Sequence, residues 1–181
     1  MKPTKASTSG FLTKSQTVSS PADPRSLAPA SLGYQMPPEW HPHESTWLVW
    51  PKNTTTWPDQ VPQAQETYLH LLGFLTPNER VDLLVDDAET EASIRERLGH
   101  TRVPAERVVF HHIKTTDSWI RDYGPNFVMR RTQRKIEPAF NHWEFNAWGN
   151  KYRELEADGD IPEQLEPILG MPRFKPALVL E

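Results

Sequence analysis

Segment 117–125, with the sequence DSWIRDYGP, places two carboxylates, an indole and a fixed cation within six residues. A carboxylate accepts two N–H groups of a planar guanidinium at once, and an aromatic face stacks on the same plane. Trp119 and Asp122 can both face one ligand if Arg121 turns outward or pairs with Asp117, with the Gly-Pro turn that follows fixing their positions. The competing interpretation is a surface Asp–Arg pair beside a buried Trp, which is the commoner use of such charges.

A second aromatic cluster lies at residues 142–152, HWEFNAWGNKY, where Trp143 and Trp148 flank the amide Asn146. Two interpretations stay open for it. Adjacent Trp and Phe residues are most often a packed aromatic corner. Alternatively, the cluster supplies further binding side chains.

A third cluster lies at residues 36–53, MPPEWHPHESTWLVWPKN, and contains His41, His43 and Glu44. These could ligate a metal, but Pro42 and the lack of a second ligand pair favour ordinary loop histidines. His111 and His112 are consecutive residues of a predicted strand. Their side chains therefore point to opposite faces, and at most one of them can face a site.

Composition restricts the function classes. The 181 residues carry a net charge of −4 and no cysteine, so the chain holds no disulfide, thiolate metal site or thiol nucleophile of its own. No apolar stretch approaches the roughly 20 residues of a membrane helix. We therefore expect a soluble, cytoplasmic protein without nucleic acid or membrane as partner. Residues 1–35 are rich in Ser, Thr, Pro and Ala and are predicted to be a disordered N-terminal tail.

Strand and helix patterns alternate from residue 36 onward, which predicts an α/β class with a partly parallel sheet. The predicted strands cover residues 46–50, 80–87, 107–114, 126–130, 135–141 and 177–181. The predicted helices cover residues 61–75 and 89–98, and a third begins near Ile161 with Asp160 and Glu163 as a capping box and Gly170 as its end. The last predicted strand, ALVLE, is apolar, and we expect no later element of this sequence to cover it.

The three clusters, with GMPRFKPALVLE at residues 170–181, resemble the agmatine deiminase family, which includes the Porphyromonas-type peptidyl-arginine deiminases. The resemblance covers residues 36–181, the ordered part of the chain. It implies a pentein-type α/β propeller with mixed sheets and flanking helices. This chain is expected to be a truncated N-terminal portion of that domain, about two of five blades.

The resemblance also implies roles for individual residues. Asp122 matches the carboxylate that grips the guanidinium, and Trp119 matches the aromatic beside the substrate. Glu181 resembles the glutamate that orients the catalytic histidine. We predict Asp122 and Glu181 as catalytic residues and Trp119, Asp122 and Asn146 as substrate-binding residues, with no metal or organic cofactor.

The resemblance implies a reaction in which a cysteine thiolate attacks the guanidinium carbon, ammonia leaves, and water then cleaves the covalent intermediate to regenerate the thiolate. The product is N-carbamoylputrescine from agmatine, in putrescine biosynthesis, or citrulline from arginine. The cysteine and the His-x-Asp motif are not in this sequence, so the chain is expected to be inactive alone.

Alternatives of the same family are a peptidyl-arginine or arginine deiminase and a non-catalytic product that binds guanidinium compounds or a partner chain. Thr116 and His142 replace acids of the common pattern and leave the substrate's tail undecided, whereas Asn150 replaces a glycine and is a mild change because Asn tolerates positive φ. Oligomeric state is open. An intact hydrolase without cysteine is disfavoured, because no Ser-based elbow motif is visible.

Overall fold

Two separate three-stranded sheets organise the protein in a computed structural model, which describes residues 28–180. The strands are β1 (Ser45–Val49), β2 (Arg80–Val85), β3 (Val108–His112), β4 (Asn126–Arg131), β5 (Ile136–Asn141) and β6 (Arg173–Phe174). The helices are α1 (Val61–Leu75), α2 (Ala88–Leu98), α3 (Ile120–Tyr123), α4 (Ala147–Asn150) and α5 (Ile161–Leu169), with 3₁₀ segments at Pro29–Leu32, Ala105–Arg107 and Arg153–Asp160.

The first sheet has the order β1-β2-β3, and all its strands are parallel. The central strand, RVDLLV, is buried at five of its six residues, as expected for a parallel strand covered on both faces. One face packs against α1 and α2, where Leu72, Leu83 and Ile94 belong to a common core. The predicted alternation of strands and helices is therefore confirmed in this half.

The opposite face of the first sheet packs against α3 and α5. Leu84 and Ile113 share a second core with Tyr123, Ile161 and Leu165. This packing fixes α3 relative to the ends of the parallel strands. The segment that carries the DSWIRDYGP motif is thus anchored on a buried surface.

The second sheet has the order β4-β5-β6 and is mixed: β4 and β5 are antiparallel, whereas β5 and β6 are parallel. Tyr34 packs its ring edge-on against Phe174 of β6, and Gln35 pairs with Met129 of β4. The predicted boundary of the tail at residue 35 is therefore too far along the chain, because Tyr34 is already buried in this core. Residues 1–27 of that tail lie outside the described residues.

Two local predictions at the end of the chain are wrong. The side chain of Asp160 makes no capping bond, because α5 continues directly from the preceding 3₁₀ helix and has Pro162 in its first turn. Within residues 177–180 only Val179 pairs, as a single bridge with Glu144. Pro176 lacks an N–H group and Ala177 has a φ of 50°, so the chain is not extended there.

The α/β class with mixed sheets and flanking helices is confirmed. Across residues 28–180, the structure contains no helix of the length and apolarity that a membrane crossing requires.

Candidate functional site

A cleft of about 480 Å³ opens beyond the carboxyl ends of the parallel strands. Three segments line it. Asn53, Thr55 and Thr56 follow β1, Trp119 and Asp122 follow β3, and Trp148, Tyr152, Glu154 and Leu155 come from the chain after β5. The volume is typical of small-molecule sites, and these nine lining residues include no lysine or arginine.

Asp122 lies in the single turn of α3 and is exposed to the cleft. No described residue forms a hydrogen bond or ion pair with its carboxylate. The neighbouring Arg121 turns away and pairs with Glu39, which raises the pKa of Arg121 and lowers the pKa of Glu39. Of the two orientations that the sequence allowed for Arg121, the outward one is present. Asp122 is therefore available to a ligand cation.

Trp119 lies on one side of the cleft with 39% of its surface exposed. Its indole N–H donates to the carboxylate of Asp117 at 3.0 Å. Its ring meets that of Trp148 edge-on, with centroids 5.9 Å apart and planes at 88°. The two indoles thus present perpendicular faces to the same cleft.

Asp117 is the buried acid of the motif, with 1% of its surface exposed. Besides the Trp119 indole, its carboxylate accepts the backbone N–H of Ser118 at 2.7 Å and the hydroxyl of Thr56. Asn53 donates to it at 3.4 Å. Asp117 therefore holds together side chains from the segments after β1 and β3, and it does not line the cleft.

The Tyr-Gly-Pro sequence closes α3 in the way that the sequence predicted. The hydroxyl of Tyr123 donates to the carbonyl of Asp117 at 2.7 Å, and burial raises the pKa of Tyr123 far above its usual range. Gly124 donates its N–H to the carbonyl of Ile120 at 2.8 Å. A Cβ at residue 124 would overlap that carbonyl oxygen and lie 2.7 Å from Cγ1 of Ile120, so only glycine permits this closure.

α4 is a left-handed turn: Ala147, Trp148, Gly149 and Asn150 all have positive φ, from 50° to 72°. For L-residues this conformation costs about 1–2 kcal/mol per non-glycine residue. The side chain of Asn146 supports it by accepting the N–H of Gly149 at 2.8 Å. The turn directs Trp148 into the cleft, where it contacts both Trp119 and Tyr152.

Asn146, predicted to bind substrate, is not among the residues that line the cleft. It caps the turn beneath Trp148 instead. The lining residues that sequence reasoning did not select include Trp148, Tyr152 and Glu154. The motif AWGNKY contains the two aromatic residues, whereas nothing in the sequence distinguishes Glu154 from other surface acids. Glu181, predicted to be catalytic, lies outside the described residues.

The histidines that could have suggested a metal make other contacts. His43 bonds through Nε2 to the carbonyl of Glu39 at 2.8 Å, and His111 bonds to the buried Asp82 at 2.8 Å, while His112 faces the other way and pairs with Glu91. Within residues 28–180 no group of three or more His, Asp or Glu side chains is arranged to hold a metal ion.

Comparison with known proteins gives concordant matches. A family model described as Porphyromonas-type peptidyl-arginine deiminase matches residues 35–181. An agmatine deiminase of Medicago truncatula is 30% identical over 162 residues, which cover 84% of this chain and 41% of that protein. One from Stutzerimonas stutzeri is 31% identical over 153 residues, covering 81% and 39%.

The fold is also shared with a solved structure of a C. jejuni agmatine deiminase with substrate bound. That protein, a cysteine-to-serine variant, matches with a TM-score of 0.65 and 21% identity over 82% of this chain and 41% of its own. The chain thus spans about two fifths of the length of these relatives. Since the family model covers nearly all of the described residues, this chain belongs to the Porphyromonas-type peptidyl-arginine deiminase family.

Proposed function

We propose that this chain provides the guanidinium-binding part of a deiminase that hydrolyses agmatine to N-carbamoylputrescine and ammonia. The observation that carries the proposal is the carboxylate of Asp122, which faces the cleft beside two indoles and has no partner among the described residues.

A guanidinium group fits this arrangement chemically. Its paired N–H groups can donate to both oxygens of Asp122, and its flat cation can stack on Trp119 or Trp148. The lining residues contain no cation that would compete for Asp122. A fixed anion also keeps the bound guanidinium charged, which makes its carbon more electrophilic, and holds that carbon in one place for attack.

The nucleophile must come from elsewhere, because the sequence has no cysteine. We infer that the thiolate and the His-x-Asp motif belong to the part of a full-length relative that this chain does not span. Glu181, by its resemblance to the family's motif, would orient that histidine. In the same proposal the two three-stranded sheets are two blades of a five-bladed pentein-type propeller.

A second carboxylate favours agmatine over arginine derivatives. Glu154 lines the same cleft as Asp122 and has no hydrogen-bond or ion-pair partner among the described residues. Agmatine carries an ammonium at the end opposite its guanidinium, and Glu154 can attract it. In free arginine the α-carboxylate lies beside the α-ammonium and offsets this attraction, and the backbone of a peptidyl-arginine is neutral.

Titration of the 181-residue chain with agmatine tests the proposal, with intrinsic fluorescence as the readout because Trp119 and Trp148 line the cleft. We expect saturable quenching and no release of ammonia. Absence of binding would contradict the guanidinium site. Ammonia release by the purified chain would show that hydrolysis does not need the missing thiol.

A further inference from the structure

The two sides of the cleft come from chain segments far apart in sequence. Trp119 and Asp122 follow β3, whereas Trp148, Tyr152 and Glu154 belong to the segment between β5 and α5. A ligand that contacts Asp122 and the Trp148 ring together requires a fixed spacing between these segments. Besides the contact between the Trp119 and Trp148 rings, one side chain joins these segments by hydrogen bonds among the described residues.

That side chain is Asp158, in the 3₁₀ helix Arg153–Asp160. It is 2% exposed although it carries a carboxylate. One of its oxygens accepts the backbone N–H of Thr116 at 2.5 Å, and the other accepts that of Asp117 at 2.9 Å. Hydrogen bonds from two successive amides to one carboxylate are strong and directional.

The hydrogen bonds of Asp158 are connected to those of the residues that line the cleft. Asp117, whose N–H is held by Asp158, accepts the indole N–H of Trp119 through its own carboxylate. On the other side, the residue after Asp158 is Gly159, and its carbonyl accepts Nε2–H of the buried His142 at 2.8 Å. A displacement of Asp158 would therefore move the loop that carries Trp119 relative to the segment that contains Trp148 and Asp158.

We propose that Asp158 is a positioning residue for guanidinium binding: its carboxylate fastens the segment that carries Trp148 and Glu154 to the loop that carries Trp119 and Asp122. The inference rests on the proposed function for its ligand, but the contact itself can be measured without one.

The environment of Asp158 makes the contact sensitive to acid. Burial raises the pKa of Asp158, and the nearby charge of Asp117 acts in the same direction, while the amides of Thr116 and Asp117 oppose the shift. The hydroxyl of Tyr123 also faces this pair of acids and stays protonated. Protonation of Asp158 turns one acceptor oxygen into a hydroxyl group. It therefore weakens one of the two hydrogen bonds that the carboxylate accepts from backbone N–H groups.

The test is Asp158→Asn, with Asp160→Asn as the matched control, because Asp160 is exposed and its side chain caps nothing. The substitution at residue 158 would turn a side-chain N–H₂ group toward a backbone N–H group. Two readouts are needed at a temperature where both variants are folded. One is the Kd for agmatine, and the other is the circular dichroism band pair from the coupled indoles, assigned by its loss in Trp148→Phe.

We expect Asp158→Asn to weaken agmatine binding at least tenfold and to lose the coupled-indole signal, while Asp160→Asn keeps both. A purely structural role would lower the melting temperature and leave both readouts unchanged in the folded protein, which would overturn the inference. If the wild-type chain binds no guanidinium, the proposed function fails, whereas the indole signal still tests the contact.

If Asp158→Asn does not fold, acid titration of the ligand-free wild-type chain decides. We expect the coupled-indole signal to change with an apparent pKa above 3.8, the ordinary value for aspartate, and to do so equally in His142→Gln. A signal that stays constant through this range would overturn the inference.

Discussion

Replacing Asp122 by Asn removes one acceptor and the charge while keeping the size of the side chain. The amide would present an N–H₂ group to a ligand that itself only donates. Hydrogen bonds to charged groups are worth about 1.5–3 kcal/mol when one partner is removed. Since each tenfold change in Kd corresponds to about 1.4 kcal/mol, we expect agmatine to bind roughly 10- to 100-fold more weakly. The exposure of Asp122 to solvent favours the lower part of this range.

The assay is calorimetric titration of agmatine into the folded 181-residue chain. Glu156→Gln is the matched control, because it removes one negative charge from the segment beside the cleft at an exposed residue that does not line it. Its Kd should stay within about twofold of wild type, since an exposed charge that does not contact the ligand is largely screened. An equal effect of both substitutions would mean that only net charge matters, and an unchanged Kd in Asp122→Asn would refute direct contact.

Three further changes have defined outcomes. Glu154→Gln should weaken agmatine roughly two- to fivefold, the effect of an exposed ion pair, and leave n-butylguanidine unchanged; equal losses for both ligands in parallel titrations would argue against a second cation site. Gly124→Ala should cost about 1–3 kcal/mol in urea unfolding and weaken agmatine binding, because the added Cβ overlaps the Ile120 carbonyl; wild-type values would show that α3 tolerates a side chain there. Burial and the nearby charge of Arg173 lower the pKa of His142. The unfolded chain therefore binds a proton at His142 more readily than the folded chain does. The contribution of His142 to the free energy of unfolding should therefore be fully present above pH 6.5 and fall below it by up to about 1.4 kcal/mol per pH unit, and His142→Gln should lack this component of the slope.

The sequence predicted most of the fold that surrounds the site. β2 carries an apolar run interrupted only by Asp82, and α1 has apolar residues at steps of three and four; both were found where expected. The short strand β6 has only two residues and no pattern of its own. The predicted strand at residues 177–181 failed because Pro176 and the positive φ of Ala177 outweigh the apolar composition.

Residues that line the cleft could be selected from the sequence only where one motif contains them. Asp122 and Trp119 were selected because they lie together in DSWIRDYGP. Glu154 was not selected, because it is about thirty positions from Asp122 in the sequence and only the fold brings the two residues to the same cleft. Asn146 was assigned to the ligand, but the left-handed turn at Trp148 needs its side chain as a cap. Backbone conformations of this kind follow from tertiary packing and leave no periodic signal.

A crystal structure of the 181-residue chain with agmatine bound would be the most direct measurement. We expect the guanidinium nitrogens at about 2.7–2.9 Å from both carboxylate oxygens of Asp122, with the guanidinium plane against an indole face of Trp119 or Trp148. Agmatine bound outside the cleft, or Asp122 paired with a group of the protein while the ligand is present, would contradict the guanidinium site.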